Sequence, residues 1–339
     1  MTRIVPVLEL NRLNQGLSER RAFLADLRSA ARDVGFFYLA GHGIGRSEID
    51  DVLSAARSFF ALPEADKLAI EMVNSSHFRG YTRTGGELTK GKADWREQLD
   101  IGVEREAIAQ KPGLPVWTRL QGPNQWPASL PQLRPALIGW QEKATAVAIR
   151  LLKAFALALE QRADAFDPIY ADQPNHRMKI VRYPGRDAAE GDQGVGAHKD
   201  GGFLTLLLQD EHKGLQVEYE GHWVDVDPIP GTLVVNIGEL LELASNGYLR
   251  ATVHRVVTPP AGVERISVPF FFSARLDATI PLLTLPEELA VQSRGPASDP
   301  DNPLFRDVGT NVLKSRLRSH PDVASRHYSD LLTKDFAAA

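Results

Sequence analysis

From Lys179 onward the chain breaks into short segments rich in β-branched and aromatic residues: KIVRY, FLTLLLQD, GLQVEYE, HWVDVDP, TLVVNIG, LRATVHRVV and RISVPFFF. Turns containing Gly, Pro or Asn, such as PIPG and SNG, separate them. Many short strands punctuated in this way predict a β-sandwich or jelly roll. Inside this region GAHKDGGFLTLLLQD sets His198 and Asp200 two residues apart at the mouth of an otherwise apolar strand. Residues i and i+2 of a strand point to one face. An imidazole and a carboxylate are therefore expected to project together into a setting where each is costly.

The flanks read differently. After a short β-like opening, IVPVLEL, Ser18 is placed to cap a helix in which Phe23, Leu27, Ala30 and Val34 recur at helical gaps, and Gly35 is placed to end it. GFFYLAGHGI predicts a strand, and EIDDVLSAARSFFALP a second helix closed by Pro63. From Asn74 to about Pro127 few periods are clear, and so long an irregular stretch reads as functional cover or a lid. Leu133, Leu137, Trp140, Ala144, Val147, Leu151 and Phe155 then mark one long helix packed on a sheet. The tail from about Asn311 to Leu332 is expected to be helical. The expected division is a helix-and-strand region over 1–170, a β core over 171–283 and a C-terminal helical extension over 284–339.

The chain has 339 residues and a formal net charge of −4, without the basic face of a nucleic-acid or membrane-surface binder. It has no cysteine, which excludes disulfides, thiolate zinc sites, cysteine-ligated iron–sulfur clusters and a cysteine nucleophile. The N-terminal stretch does not resemble a signal peptide and no apolar run has membrane length, so the cytoplasm is the expected compartment.

Nine histidines are present, and most read as surface or satisfied core. His42 lies at a strand end, His212 in the polar turn DEHKG, and His320 and His327 in the polar tail without an attractive partner. His198 differs because Asp200 accompanies it, and His254 in LRATVHRVV supplies a third group. Two imidazoles and one carboxylate on one face leave three open positions on an octahedral ion, the 2-His-1-carboxylate arrangement of non-haem Fe(II) oxygenases. In RISVPFFF, Arg265 and Ser267 again share a face. A guanidinium in a strand wants a carboxylate, with a neighbouring hydroxyl to assist. The intervening TPPAGVE reads as a hairpin turn that would lay this strand beside the one carrying His254.

H-x-D, a distant His and then R-x-S together resemble the Fe(II)/2-oxoglutarate-dependent dioxygenases, and more narrowly the isopenicillin N synthase-like branch. DVGFFYLAGHGI, RGY at Arg79–Tyr81, KIVRYP, NGYLRATVHRV and RISVPFFF carry the likeness over about residues 4 to 285. The resemblance implies a mixed, mainly β fold: a double-stranded β-helix (jelly roll) with flanking N-terminal helices and a C-terminal helix. It implies His198, Asp200 and His254 as Fe(II) ligands, and Arg265 and Ser267, assisted by Tyr183, as the holders of the distal carboxylate of 2-oxoglutarate. It further implies oxidative decarboxylation with O2 to succinate and CO2, coupled to oxidation of a C–H bond of a small molecule. Hydroxylation is the expected outcome, with desaturation and cyclisation open. Where many relatives read N-Y-Y this chain has Val181-Arg182-Tyr183, so one asparagine contact on the cosubstrate side is missing. Lys199, inside H-x-D, is expected to face away from the metal.

Three other readings remain at this point. An oxidase of the same fold could dispense with 2-oxoglutarate and use Arg265 and Ser267 for a substrate carboxylate. Two His and one carboxylate also suit a zinc hydrolase, although no H-E-x-x-H helix is present. A non-catalytic binding module could retain the fold. For the substrate pocket the candidates are Arg79, Tyr81 and Phe271, the last on the inward face with Ser267. Phe270 and Phe272 are expected to pack on the other face. A basic Arg79 would suit an acidic or amino-acid-like substrate.

Overall fold

The computed structural model describes residues 4–171, 174–187, 191–297, 299 and 302–332. The first part of the chain runs β1 (Val7–Glu9), α1 (Leu17–Asp33), β2 (Phe36–Ala40), α2 (Arg46–Phe60) and α3 (Glu64–Leu68). Next come β3 (Gly80–Thr82), the hairpin β4 (Leu88–Thr89) and β5 (Lys92–Ala93), β6 (Glu97–Gly102), α4 (Leu133–Ala158) and α5 (Asp167–Tyr170). The β-rich part follows as β7 (Asn175–Pro184), β8 (Gln193–His198), β9 (Leu204–Gln209), β10 (Leu215–Tyr219), β11 (His222–Asp225) and β12 (Leu233–Ile237). After α6 (Glu239–Ala244) come β13 (His254–Val257) and β14 (Glu264–Ser273). The tail holds α7 (Glu287–Ala290), α8 (Val308–Ser319), α9 (Pro321–His327) and α10 (Ser329–Leu332).

Two sheets face each other, one ordered β1-β2-β12-β9-β14-β7-β6-β3 and the other β11-β10-β13-β8. All their pairings are antiparallel except β1 with β2. Side-chain alternation divides the large sheet. Its outer face, with Leu99, Met178, Ile180, Leu206, Ile266, Val268, Phe270 and Phe272, packs on α1, α2 and α4 in one apolar core. Its inner face, with Val181, Tyr183 and Val234, meets Val195, Leu215, Val217 and Val256 of the small sheet. This is the expected jelly roll, and Phe270 and Phe272 sit on the expected face.

Every position that marks the long helix in the sequence is buried in α4, and α1 buries Phe23, Leu27 and Ala30. Gly35 ends α1 at φ +74°, donating to the Ala30 carbonyl at 2.9 Å, as a C′ glycine does. Ser18 is not the cap. The helix starts at Leu17 behind Gly16, two residues earlier than a Ser18 cap would place it, with Glu19 in its first turn, where an acid suits the dipole.

Three expectations about the β part need correction. His198 does not sit at the mouth of FLTLLLQD: it ends β8, a strand of the other sheet, and Asp200 lies in the turn before β9. TPPAGVE is not a hairpin turn, because β13 pairs with β10 and β8 while β14 pairs with β7 and β9. The chain changes sheets there. The stretch from Asn74 to Pro127 is also less irregular than it reads. It supplies β3 and β6 to the large sheet, and all six residues of β6 are buried.

Candidate active site

The strand ends bring His198, Asp200 and His254 together, with one ligand atom from each lying within 4.8 Å of the others. His254 opens β13 directly opposite His198 at the end of β8. The two rings are 4.3 Å apart, and Phe36 stands edge-on to His254 at 5.2 Å. Asp200 reaches the same point from a tight turn. Its carbonyl accepts from the Glu239 N–H at 2.7 Å, and a Cβ on Gly238 would fall 2.1 Å from the Gly202 carbonyl oxygen. Glycine at 238 is thus required by close backbone approach.

The remaining polar atoms of the three groups are tied to protein. Nδ1 of His198 lies 2.8 Å from the Gly196 carbonyl and Nδ1 of His254 lies 3.1 Å from that of Thr252. Each Nδ1–H donates to its carbonyl, which leaves both Nε2 lone pairs facing Asp200 Oδ1, at 3.6 and 3.8 Å. Asp200 Oδ2 accepts from Thr205 Oγ1 at 2.5 Å and Asn236 Nδ2 at 2.8 Å. Such supports fix tautomer and orientation in metal sites. Burial opposes the charge of Asp200, but His254, His198 and Thr205 overcome it and hold the carboxyl well below its ordinary range. Burial and the neighbouring His198 push His254 down to about 4. Burial also opposes protonation of His198, yet its contact with Asp200 raises it. Two nitrogen donors and one carboxylate oxygen on one side fit a facially bound Fe(II).

A second polar feature stands between the sheets. Arg265 is completely buried, and only its Nη2 finds a partner, Gln209 Oε1 at 2.8 Å. Its Nε and Nη1 have none. The guanidinium lies over the Tyr183 ring, 4.9 Å from the centroid, and Ser267, also buried, follows on the same face. A buried charge without a counter-ion is costly. The open donors and the apolar walls of Val181, Val195, Leu215 and Val256 suit the carboxylate end of a slender keto acid.

The family model of the 2OG-Fe(II) oxygenase superfamily matches residues 174–274, and that of the non-haem dioxygenase in morphine synthesis N-terminal region matches residues 5–129. A 2-oxoglutarate-dependent dioxygenase of Dothideomycetidae sp. (strain 11243) is 38% identical, over 97% of this chain and 93% of that one. This chain belongs to the 2OG-Fe(II) oxygenase superfamily. A homoarginine-6-hydroxylase of Arabidopsis thaliana is 34% identical, over 86% of this chain and 91% of its own. Among solved structures, a 2OG-Fe(II) oxygenase family protein from Caulobacter crescentus superposes with a TM-score of 0.74 at 30% identity, covering 94% of this chain and 99% of that one. A full-length Neurospora crassa protein in complex with alpha-KG and thymine gives 0.72 at 26%, covering 84% and 91%. The protein is accordingly an oxidoreductase, a dioxygenase that uses Fe(II), 2-oxoglutarate and O2 on a small molecule.

In this oxygenase the other candidate residues separate. Phe271 faces inward as expected, beneath the Arg177 guanidinium at 5.6 Å. Arg79 is buried and donates to the His77 carbonyl at 2.9 Å. Tyr81 is on the wrong face for a substrate residue. It packs against Phe59 in the outer core and its hydroxyl donates to Glu97. Lys199 turns toward Glu242 at 3.3 Å, away from the triad. His42, His212 and His327 are satisfied by Gly231, Asp210 and Val73. His320, expected to lack an attractive partner, is buried with its Nε2 3.9 Å from Glu87. Sequence reasoning did not single out Thr205 and Asn236. A lone polar residue inside FLTLLL and inside LVVNI was the signal available.

Proposed function

We propose that His198, Asp200 and His254 ligate Fe(II) through Nε2, Oδ1 and Nε2, and that Arg265, Ser267 and Tyr183 hold the distal carboxylate of 2-oxoglutarate. The convergence of three free ligand atoms whose remaining polar atoms are all bound to protein carries the first assignment. Two partnerless donors on a fully buried guanidinium support the second. Fe(II) supplies the redox chemistry that couples decarboxylation of 2-oxoglutarate to C–H oxidation. The chain's part is to fix three ligands on one face, to orient the cosubstrate by its far carboxylate, and to exclude water between two apolar walls.

Hydroxylation is the outcome we assign, supported by hydroxylase relatives at 34 to 37% identity. We place the chain in the isopenicillin N synthase-like branch on the stretches from DVGFFYLAGHGI to RISVPFFF. We also take 1–170 as the N-terminal helix-and-strand region, 171–283 as the jelly-roll core and 284–339 as the C-terminal helical extension, residues 1–3, 172–173, 188–190, 298, 300–301 and 333–339 lying outside those described. No helix of the described residues is long and apolar enough to cross a membrane. Anaerobic addition of 2-oxoglutarate to the Fe(II)-loaded protein should give the weak visible charge-transfer band of keto-acid chelation. Slow succinate formation should follow on admission of air. Bound iron with neither signal would reject the assignment.

A further inference from the structure

One row of backbone partners crosses the inner face of the large sheet: Asn236, Thr205, Phe271, Arg177 and Gly102. Its first two members hold Asp200, and its far end is cationic. Arg177 covers the Phe271 ring and makes no hydrogen bond or ion pair among the described residues. A Cβ on Gly102 would stand 2.3 Å from an Arg79 nitrogen, so the Arg79 guanidinium lies over Gly102, the backbone partner of Arg177. Arg79 has only carbonyl partners, and its Nε has none.

The surrounding charges do not answer these two. Lys179 sits 2.6 Å from Glu87 and 3.6 Å from Asp100. Arg316, reaching in from α8, takes Asp100 at 3.0 Å. Arg96 takes Glu87 at 2.8 Å and Asp94 at 3.2 Å. Three carboxylates thus meet three cations, a further acid near Arg79, Glu104, is taken by Asn124 and Trp126, and neither Arg79 nor Arg177 forms an ion pair among the described residues. Burial, followed by repulsion from Arg316, lowers Arg79 to about 10 and Arg177 to about 9, as expected of guanidinium groups short of a counter-charge. Nor does this pair duplicate the cosubstrate receptor. Arg265 is six residues from Phe271 along β14, about 20 Å in an extended strand.

We propose that Arg177, with Arg79 beside it, receives an anionic group of the primary substrate, and that this oxygenase acts on a small organic carboxylic acid. The inference rests on the function proposed above, since it places the acid across Phe271 with its oxidised end toward Asp200. The Arg177 guanidinium presents paired donors that match a carboxylate's two oxygens, Arg79 adds positive charge felt at Arg177, and Phe271 offers the chain of the acid an apolar floor.

The test needs no turnover. Protein loaded with Zn(II) and saturating 2-oxoglutarate is titrated with small aliphatic and aromatic carboxylates, each beside its uncharged primary amide, and the thermal midpoint is read. At least one acid should raise the midpoint while its amide does not, and Arg177→Gln should weaken that acid about 30-fold or more, the lower bound for breaking a desolvated charge pair. Affinity for 2-oxoglutarate should be unchanged in the variant, which also certifies its fold, and Arg177→Lys should recover part of the binding. The proposal is overturned if acid and amide act alike, if Arg177→Gln binds the acid as well as wild type does, or if none of the acids raises the midpoint. Should Arg177→Gln fail to fold, the acid-against-amide contrast in the wild type decides. A wild type indifferent to 2-oxoglutarate would instead reject the parent assignment, leaving the same contrast to judge this one.

Discussion

Arg182 and Arg265 lie one residue out of register on neighbouring strands, so their side chains leave opposite faces of the same ladder. On the outer face Arg182 pairs with Glu97 and with Glu264, and Glu97 also receives Lys67 at 3.0 Å and the Tyr81 hydroxyl. Every charge there has an answer within the chain. On the inner face Arg265 is more deeply buried yet leaves two donors open, and Arg177 has no counter-ion among the described residues. Depth of burial therefore does not separate these two arginines; an ion pair within the chain does, since Arg182 has Glu97 and Glu264 while Arg265 has none among the described residues. Strain or unmet polarity is kept where a ligand will meet it.

The metal corner is the extreme of the open face, and the largest effect is expected there. His198→Ala or His254→Ala removes one of the three proposed ligands and should abolish succinate formation, coupled or uncoupled. Arg265→Ala comes next. Breaking such a buried pair costs about 2–5 kcal/mol, which is about 30- to several-thousand-fold in the apparent constant for 2-oxoglutarate, with Fe(II) binding near normal. The comparison of faces adds a sharper point. Because Arg265 has no counter-ion among the described residues, the proposed role predicts that Arg265→Met melts no lower than wild type without 2-oxoglutarate and loses the stabilisation that 2-oxoglutarate gives wild type. A large loss of stability in the ligand-free variant would mean that Arg265 is structural, like Arg182.

Asn236→Ala probes the boundary between open and closed. Asn236 touches no metal in the proposed site but holds Asp200 Oδ2. Losing such a support costs about 10- to 100-fold in metal affinity, to be read by competition titration of Fe(II). Thr205 would still hold the carboxylate, so an effect as large as that of removing a ligand would contradict the division of labour drawn here.

Much of this site is legible in the sequence because strands have a fixed period. Arg265, Ser267 and Phe271 fall on one face at even spacing, with Phe270 and Phe272 on the other, and the structure agrees. What the sequence hides are relations between strands. QGVGAH has few β-formers, so β8 is invisible until His254 pairs with its last residue. TPPAGVE looks like any hairpin turn, and only the pairing partners reveal a change of sheet. In β6, EQLDIG places Gln98 and Asp100 inward, where Lys179 and Arg316 neutralise the acid. Its charges mask a strand that is wholly buried. Tyr81 shows the remaining limit: alternation groups residues by face without saying which face holds the chemistry.

Tyr81 therefore supplies the smallest and most discriminating prediction. Its phenol is buried in the outer core and bound to Glu97, and burial with that carboxylate pushes its pKa up. It is then a protonated donor across the working pH range and has no acid–base part to play. Tyr81→Phe removes one hydroxyl from a carboxylate that keeps Lys67 and Arg182, so Glu97 is not left unpaired. The loss should stay near about 1.5 kcal/mol of stability, the low end for a hydrogen bond to a charged group, with the KM for the primary substrate and for 2-oxoglutarate unchanged. A shift in substrate KM without a shift in thermal midpoint would place Tyr81 on the chemical side of the sheet. The division between a closed outer face and an open inner one would then fail at β3.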